Sequence, residues 1–253
     1  MHVKSIIPLL AVAVWLLCLG CSAPHDNPYD SESERYRPPP ATPSELAGRI
    51  HSLHITRIFP TTPSYSVIAE VYGEEAVMQD SVWVSFNGRP ELTLRLIQPE
   101  NIWAFTFSAS YFGEDDPQLG GVVGRPFVFR SKDNQGYRHD VGPVYLFRVI
   151  EGVPVVATPA GNDTVNSLPL LTWQPFVASF PFGYTAAVVN ITEGFQTTVW
   201  TSPLLGDSVL SIQVPDSLPL PEGDYFWTIS VSDSFLNSSR SKEGPFVVRN
   251  EER

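Results

Sequence analysis

The chain has 253 residues, a net charge of −11, 24 Pro, 17 Gly and only two Cys. That length suits one large domain or two of about 100 residues each, and a 43% apolar share can fill real cores, which excludes a wholly disordered chain. The acidic balance, with no Lys/Arg block, argues against nucleic acid as a partner, and two Cys exclude both a multiple-disulfide scaffold and a Cys₄ zinc site.

Residues 6–19 are apolar apart from Pro8 and follow a short start carrying Lys4. A run of that length matches a signal-peptide core, whereas a spanning helix needs about 20 apolar residues. It ends in Leu17-Cys18-Leu19-Gly20-Cys21, which resembles the lipobox of bacterial lipoproteins, departing from it at Cys18 where such signals usually carry Leu. The resemblance implies cleavage after residue 20, acyl chains such as palmitate on Cys21, and attachment to a membrane through that residue. Ser22, rather than Asp, in the next position favours the outer membrane. The alternative is an ordinary secretory signal that happens to hold two Cys. Residues 21–47 carry Pro24, Pro28, Pro38, Pro39, Pro40 and Pro43 among scattered charges, with neither strand nor helix period. They read as a disordered, semi-extended tether reaching between about 30 Å and about 80 Å.

From residue 48 onward period-2 alternation dominates. Tyr65, Val67, Ala69 and Val71 interleave with Ser64, Ser66 and Glu70; Val82, Val84 and Phe86 alternate with Ser81 and Ser85; Trp103, Phe105 and Phe107 share a face. Asn87-Gly88 and Asn134-Gln135-Gly136 are turn cues. Strands are expected at 49–59, 64–73, 80–87, 91–97, 101–109, 125–131 and 142–150. Seven strands in about 100 residues is the count of an immunoglobulin-like sandwich, placed at 48–151. A single barrel running through both halves is the rival reading.

Residues 152–250 resemble a fibronectin type III domain. Leu171-Thr172-Trp173-Gln174-Pro175 matches that family's second strand, Tyr184, Ala186 and Val188 its third, and the run from Leu218 to Trp227 the turn and corner entering its sixth. Trp173 and Trp227, each on the apolar phase of its strand, are expected to be buried, and the Tyr225 hydroxyl to bond backbone near the preceding turn. The halves also echo each other. Phe127, Phe129 and Asp133 stand 100 residues before Trp227, Ile229 and Asp233, and Gly142-Pro143 matches Gly244-Pro245. Arg125 occupies the place of Tyr225, so the first domain is expected to lack that corner. The fold class is therefore all-β: two tandem sandwiches after a signal peptide and a tether.

Chemistry is harder to find. His51 and His54, three apart on a strand, fall on opposite faces and make no chelate; they and His139 read as solvated side chains. No nucleophile elbow, phosphate loop, His-Glu-x-x-His or Cys-x-x-Cys occurs, so no enzyme, cofactor or metal is expected. A hydrolase whose carboxylates meet only in three dimensions stays open. Glu114-Asp115-Asp116 lacks the alternating acidic layout of a calcium loop and reads as a solvated turn. Three sequons, at Asn162, Asn190 and Asn237, matter only if the chain is a eukaryotic secreted protein. The second domain's entry-pole loops are apolar, with Phe180 and Phe182 in one and Phe235 in the other. They read as a contact with the first domain's loop 110–124, carrying Tyr111, Phe112 and Leu119, or else as a binding apex. The functional expectation is a binding or scaffolding lipoprotein of the envelope, with an envelope protein or a glycan as partner. A carbohydrate-binding lipoprotein of a polysaccharide-uptake system is the alternative.

Overall fold

The computed structural model describes residues 46–249 except 114 and 193. The signal peptide, Cys21, nearly all of the tether and Glu114 lie outside the described residues.

Among the described residues eight strands precede residue 146: β1 (Ala47–Ile55), β2 (Ser64–Tyr72), β3 (Gln79–Phe86), β4 (Leu92–Thr93), β5 (Arg95–Ile97), β6 (Ile102–Ser108), β7 (Pro126–Asp133) and β8 (Arg138–Tyr145). They form two antiparallel layers, β1-β2-β6-β5 and β4-β3-β7-β8. The alternation decides which side chains face inward: Val67, Ala69 and Val71 from one layer meet Val82, Val84, Phe127 and Phe129 from the other, all at most 1% exposed. Asn87 and Gly88 both take positive φ, 47° and 76°, as the hairpin cue requires.

Ten strands follow: β9 (Val156–Thr158), β10 (Asp163–Val165), β11 (Leu170–Trp173), β12 (Phe182–Thr192), β13 (Phe195–Thr201), β14 (Leu205–Gly206), β15 (Ser211–Gln213), β16 (Gly223–Asp233), β17 (Ser238–Arg240) and β18 (Gly244–Val248). The layer β9-β11-β15 faces a second layer in which β18, β16, β12 and β13 lie side by side. Trp173, Tyr184, Trp227, Ile229 and Phe246 fill the space between them. Tyr225 donates its hydroxyl proton to the Pro221 carbonyl at 2.9 Å, the expected corner. Trp227 Nε1–H donates to the Pro159 carbonyl at 2.7 Å, while Trp173 Nε1 has no partner.

The repeat between halves is sharpest in the turns after β7 and β16. The Asp133 N–H donates to the Tyr137 carbonyl, and Asp133 Oδ1 accepts the N–H groups of Gln135 and Tyr137; Asp233 does the same with Asn237, Phe235 and Asn237. Gly136 (φ 92°) takes the left-handed position in the first turn and Leu236 (φ 67°) in the second. One carboxylate thus organises each hairpin by gathering amides that would otherwise lack partners.

Several expectations need correction. The strand placed at 142–150 runs from Arg138 to Tyr145, because Arg138, His139 and Asp140 pair with Lys132, Ser131 and Arg130 directly after the turn; their polarity hid the strand. Residues 146–150 instead cross between cores, Leu146 and Val149 packing in the first and Ile150 in the second. Tyr111, Phe112 and Leu119 of the loop 110–124, expected at an interdomain contact, pack into the first core. A short helix, Ala109–Phe112, turns Tyr111 and Phe112 onto Phe107, Phe86 and Phe127, and Leu119 is fully buried in the same core. Arg89 donates to the carbonyls of Tyr111 and Phe112, fastening that fold-back.

Candidate functional site

The sandwiches meet through backbone. β1 pairs in parallel with β17, Leu53, His54 and Ile55 lying opposite Ser238, Ser239 and Arg240, so one sheet passes from β10 in the second sandwich to β5 in the first. The Thr56 N–H donates to the Arg240 carbonyl and the Ser52 N–H to Asn237 Oδ1 (2.9 Å). Asn237 is itself held: its Nδ2 and its backbone N–H donate to Asp233 at 3.0 Å. Arg148 Nε lies 3.1 Å from Asp233 Oδ2, and the Arg148 guanidinium lies 4.5 Å from the centre of the Phe180 ring. Asp233 therefore joins its own turn, Asn237 and the inter-sandwich segment.

His54 sits inside this junction at 2% exposure. Its ring stacks on Tyr65 (4.1 Å between centres), and Nδ1 lies 3.2 Å from the Ile150 carbonyl and 3.3 Å from Ser239 Oγ. A carbonyl only accepts, so Nδ1 carries the proton and Nε2 is left buried without a partner. Burial pulls the His54 pKa below its ordinary value, against the opposing pull of the Ile150 carbonyl and Glu151. The neighbouring Tyr65 hydroxyl is pushed up by the same burial and by Glu151.

Beside the junction runs an open groove of about 420 Å³, walled by Gly48, Arg49 and Ile50 of β1, by Val144, Tyr145 and Phe147, and by Ser234, Phe235 and Leu236. Tyr145, Phe147, Phe235 and Leu236 are 37%, 58%, 43% and 42% exposed. Phe147 and Phe235, one from each sandwich side, pack at 4.7 Å with a 36° tilt. Arg49 and Tyr72, which stack at 4.8 Å, also line a second cleft of about 470 Å³ with Glu74, Glu100 and Asn101. The guanidinium of Arg49 is paired with Glu70, and His51 Nε2 lies 3.4 Å from the same carboxylate. Burial pushes the Glu70 pKa up, but the neighbouring His51 and Arg49 outweigh it and hold the carboxyl below its usual range.

The sequence-predicted residues are distributed as follows. Phe235 lies in the groove and Phe180 under Arg148, whereas Phe182 packs within its own domain on Phe176 and Tyr184. The groove's other aromatic residues, Tyr72, Tyr145 and Phe147, carry no signal in the sequence, where they fall on ordinary strand positions. None of the three described His is solvated as expected: His54 is buried, His51 is shielded beside Glu70, and His139 lies on β8 with Nε2 3.1 Å from Asp133 Oδ2. Each found a neighbour across the sheet that sequence spacing does not reveal. Asp116 accepts the N–H groups of Gly120 and Gly121, shaping its own loop. Among the described residues no three metal-ligating side chains converge, and no helix is long and apolar enough to cross a membrane. Asn237 is fully buried, so its sequon serves the junction.

No protein-family model matches the chain, and no curated protein matches it. Among solved structures, the fibronectin(III)-like modules of CbhA from Clostridium thermocellum align at 12% identity and a TM-score of 0.33, over 83% of this chain and 97% of that one. The FN1–FN3 domains of chicken CNTN1 align at 10% identity and 0.35, over 81% and 69%. Dimeric latent PorU from Porphyromonas gingivalis aligns at 12% identity and 0.24, over 82% of this chain and 24% of that one. The all-β sandwich assignment stands on the strand pairings and the tyrosine corner of the chain itself.

Proposed function

We propose that the protein is a lipid-anchored envelope protein, held in the outer membrane through Cys21, in which an immunoglobulin-like and a fibronectin type III-like sandwich act together as a non-catalytic binding or scaffolding unit. The observation that carries the unit is the β1–β17 pairing, which gives two sandwiches one continuous sheet. A chain selected only to space two independent modules needs no such pairing, since interdomain motion is the default where the contact is small. The anchor rests on the resemblance of residues 17–21 to a lipobox. The non-catalytic reading is supported by the three described His, each engaged with a packed neighbour rather than facing a cleft. The glycan-binding alternative draws on the exposed rings of the groove, but Phe147 and Phe235 are tilted against each other and do not present the flat row that stacking on sugar rings favours.

Two measurements test the proposal. Fatty-acid labelling should mark the wild type and vanish in Cys21→Ser, with release from the membrane fraction; an unlabelled wild type removes the anchor. Cross-linking in intact envelopes should then yield discrete adducts of the anchored chain, and a chain that yields none at any exposed position is not a binding module.

A further inference from the structure

The loop that joins β1 to β2 carries apolar side chains into solvent beside a basic cluster. Every residue from 57 to 64 is exposed, with Ile58 at 51% and Phe59 at 87%. The base of the loop is fixed: Thr56 donates its N–H and its hydroxyl proton to the Arg240 carbonyl, and the Ile58 N–H donates to Glu243 Oε2 at 2.7 Å. Arg57 stands close enough to Arg240 for its charge to add to the burial that lowers the Arg240 pKa, against the pull of Glu243. Lys242, two residues beyond Arg240, is exposed. Glu243 is engaged by the Ile58 N–H and lies 3.9 Å from Arg240 Nη2. Among the described residues the side chains of Arg57 and Lys242 have no ion-pair partner. No Asp or Glu occurs between Glu45 and Glu70, although the chain holds 27 of them and carries −11 overall.

We propose that this loop is a membrane-contact site: Ile58 and Phe59 enter the acyl boundary of a phospholipid surface while Arg57 and Lys242 meet its anionic headgroups. The inference rests on the reading of the protein as anchored in a membrane, and it goes further by naming the face that lies against the lipid. Apolar side chains flanked by Lys and Arg bind an interface by burying themselves between headgroups and acyl chains while the cations are drawn to negative lipid charge. A single exposed apolar residue would need no such explanation, because isolated ones are common on soluble surfaces. Phe195 is of that kind, 74% exposed on a hairpin with no Lys or Arg within three positions. Ile58 and Phe59 differ in three respects: they are adjacent, they stand on a fixed base, and cations left without partners lie beside them. An acidic chain is repelled by an anionic surface over most of its faces, so a basic loop also selects which face approaches. The loop follows β1 at the end opposite Ala47, about 30 Å away for nine residues at the usual rise. A tether of about 30–80 Å, as expected from the sequence, is long enough to bring it to the lipid.

The test places a benzophenone side chain, as p-benzoylphenylalanine, at position 59 of the full chain and, in a separate variant, at position 195. Both positions are exposed Phe in the wild type, so neither change disturbs a core. After irradiation of intact envelopes, mass spectrometry should find phospholipid adducts roughly ten times more often at 59 than at 195. Arg57→Glu combined with Lys242→Glu should cut the lipid adducts at 59 about tenfold. Both residues are exposed, and an unchanged thermal transition checks that the fold is intact. The comparison of 59 with 195 leaves every charge in place, so a folding defect in the double variant cannot decide the outcome. Equal lipid yields at 59 and 195, or a yield at 59 that survives the charge reversal, overturn the proposal. So do adducts at 59 with protein alone, which would make the loop a protein-docking site. Fatty-acid labelling separates the two levels: a labelled chain with no lipid adduct at 59 sinks the loop and spares the anchor, while lipid adducts at 59 on an unlabelled chain sink the anchor through Cys21 and spare the loop.

Discussion

Replacing Asp233 with Ala should loosen the junction more than it harms the second core. Three donors converge on this carboxylate, the N–H groups of Phe235 (2.9 Å) and Asn237 (3.0 Å) and Asn237 Nδ2 (3.0 Å), and Arg148 Nε lies 3.1 Å away as an ion-pair partner. Hydrogen bonds to a charged group contribute roughly 1.5–3 kcal/mol each, and those whose donors water cannot reach after the change cost most. Asn237 is fully buried, so its two bonds dominate, for a loss of about 3–5 kcal/mol. Arg148 is 35% exposed and can turn to solvent, so its ion pair adds less than about 1 kcal/mol. The loss should be local. Freed from Asp233, Asn237 no longer presents Oδ1 to the Ser52 N–H, and the β1–β17 pairing starts to fray at that end. Hydrogen exchange should therefore accelerate at Ser52 and His54 while Trp227 and Ile229 keep their protection, and solution scattering should show a broader distribution of shapes. Asp133→Ala is the internal control: it opens the equivalent turn of the first sandwich, where the carboxylate bonds Gln135, Tyr137 and His139. If Ser52 keeps its protection in Asp233→Ala, or if Asp133→Ala frees Ser52 equally, the assignment of Asp233 as the residue that keys the junction is wrong.

Tyr225→Phe should cost about 1–3 kcal/mol in chemical unfolding of the second sandwich, because the Pro221 carbonyl loses its donor; a cost near zero would mean the corner bond is not formed in solution. Trp173→Ala should cost about 3–5 kcal/mol by opening a cavity, and Trp173→Phe distinctly less, since Nε1 has no partner to lose; equal costs would contradict the packing. Protonating His54 would place an N–H at Nε2 with no acceptor. Its folded pKa lies below the ordinary histidine value, so the unfolded chain binds the proton more readily. Stability should thus be complete above about pH 6.5 and decline as pH falls from there toward the lowered folded value. Thermal unfolding between pH 7.5 and 5 should show this slope, and His54→Phe should flatten it; an unchanged slope would place the titration elsewhere.

Much of the fold is written locally. The alternation of Val67, Ala69 and Val71, or of Tyr225, Trp227 and Ile229, settles which face of a strand is buried, because a strand has only two faces and water rejects one pattern. Asp133 and Asp233 mark the same hairpin in both halves because a carboxylate two and four residues before unpaired amides gathers them wherever it occurs. Tertiary structure alone decided the junction. β17 is only Ser-Ser-Arg, with no alternation to announce a strand, and main-chain pairing leaves no mark on side-chain chemistry. His54 looked like a polar strand residue until Tyr65, Ile150 and Ser239, from three distant places in the chain, closed over it. Tyr111, Phe112 and Leu119 looked like material for an interdomain contact, yet a short helix brought them home to a nearer core. In each case the deciding partner is remote in sequence, so no window of residues, however carefully read, contains the energy that makes the choice.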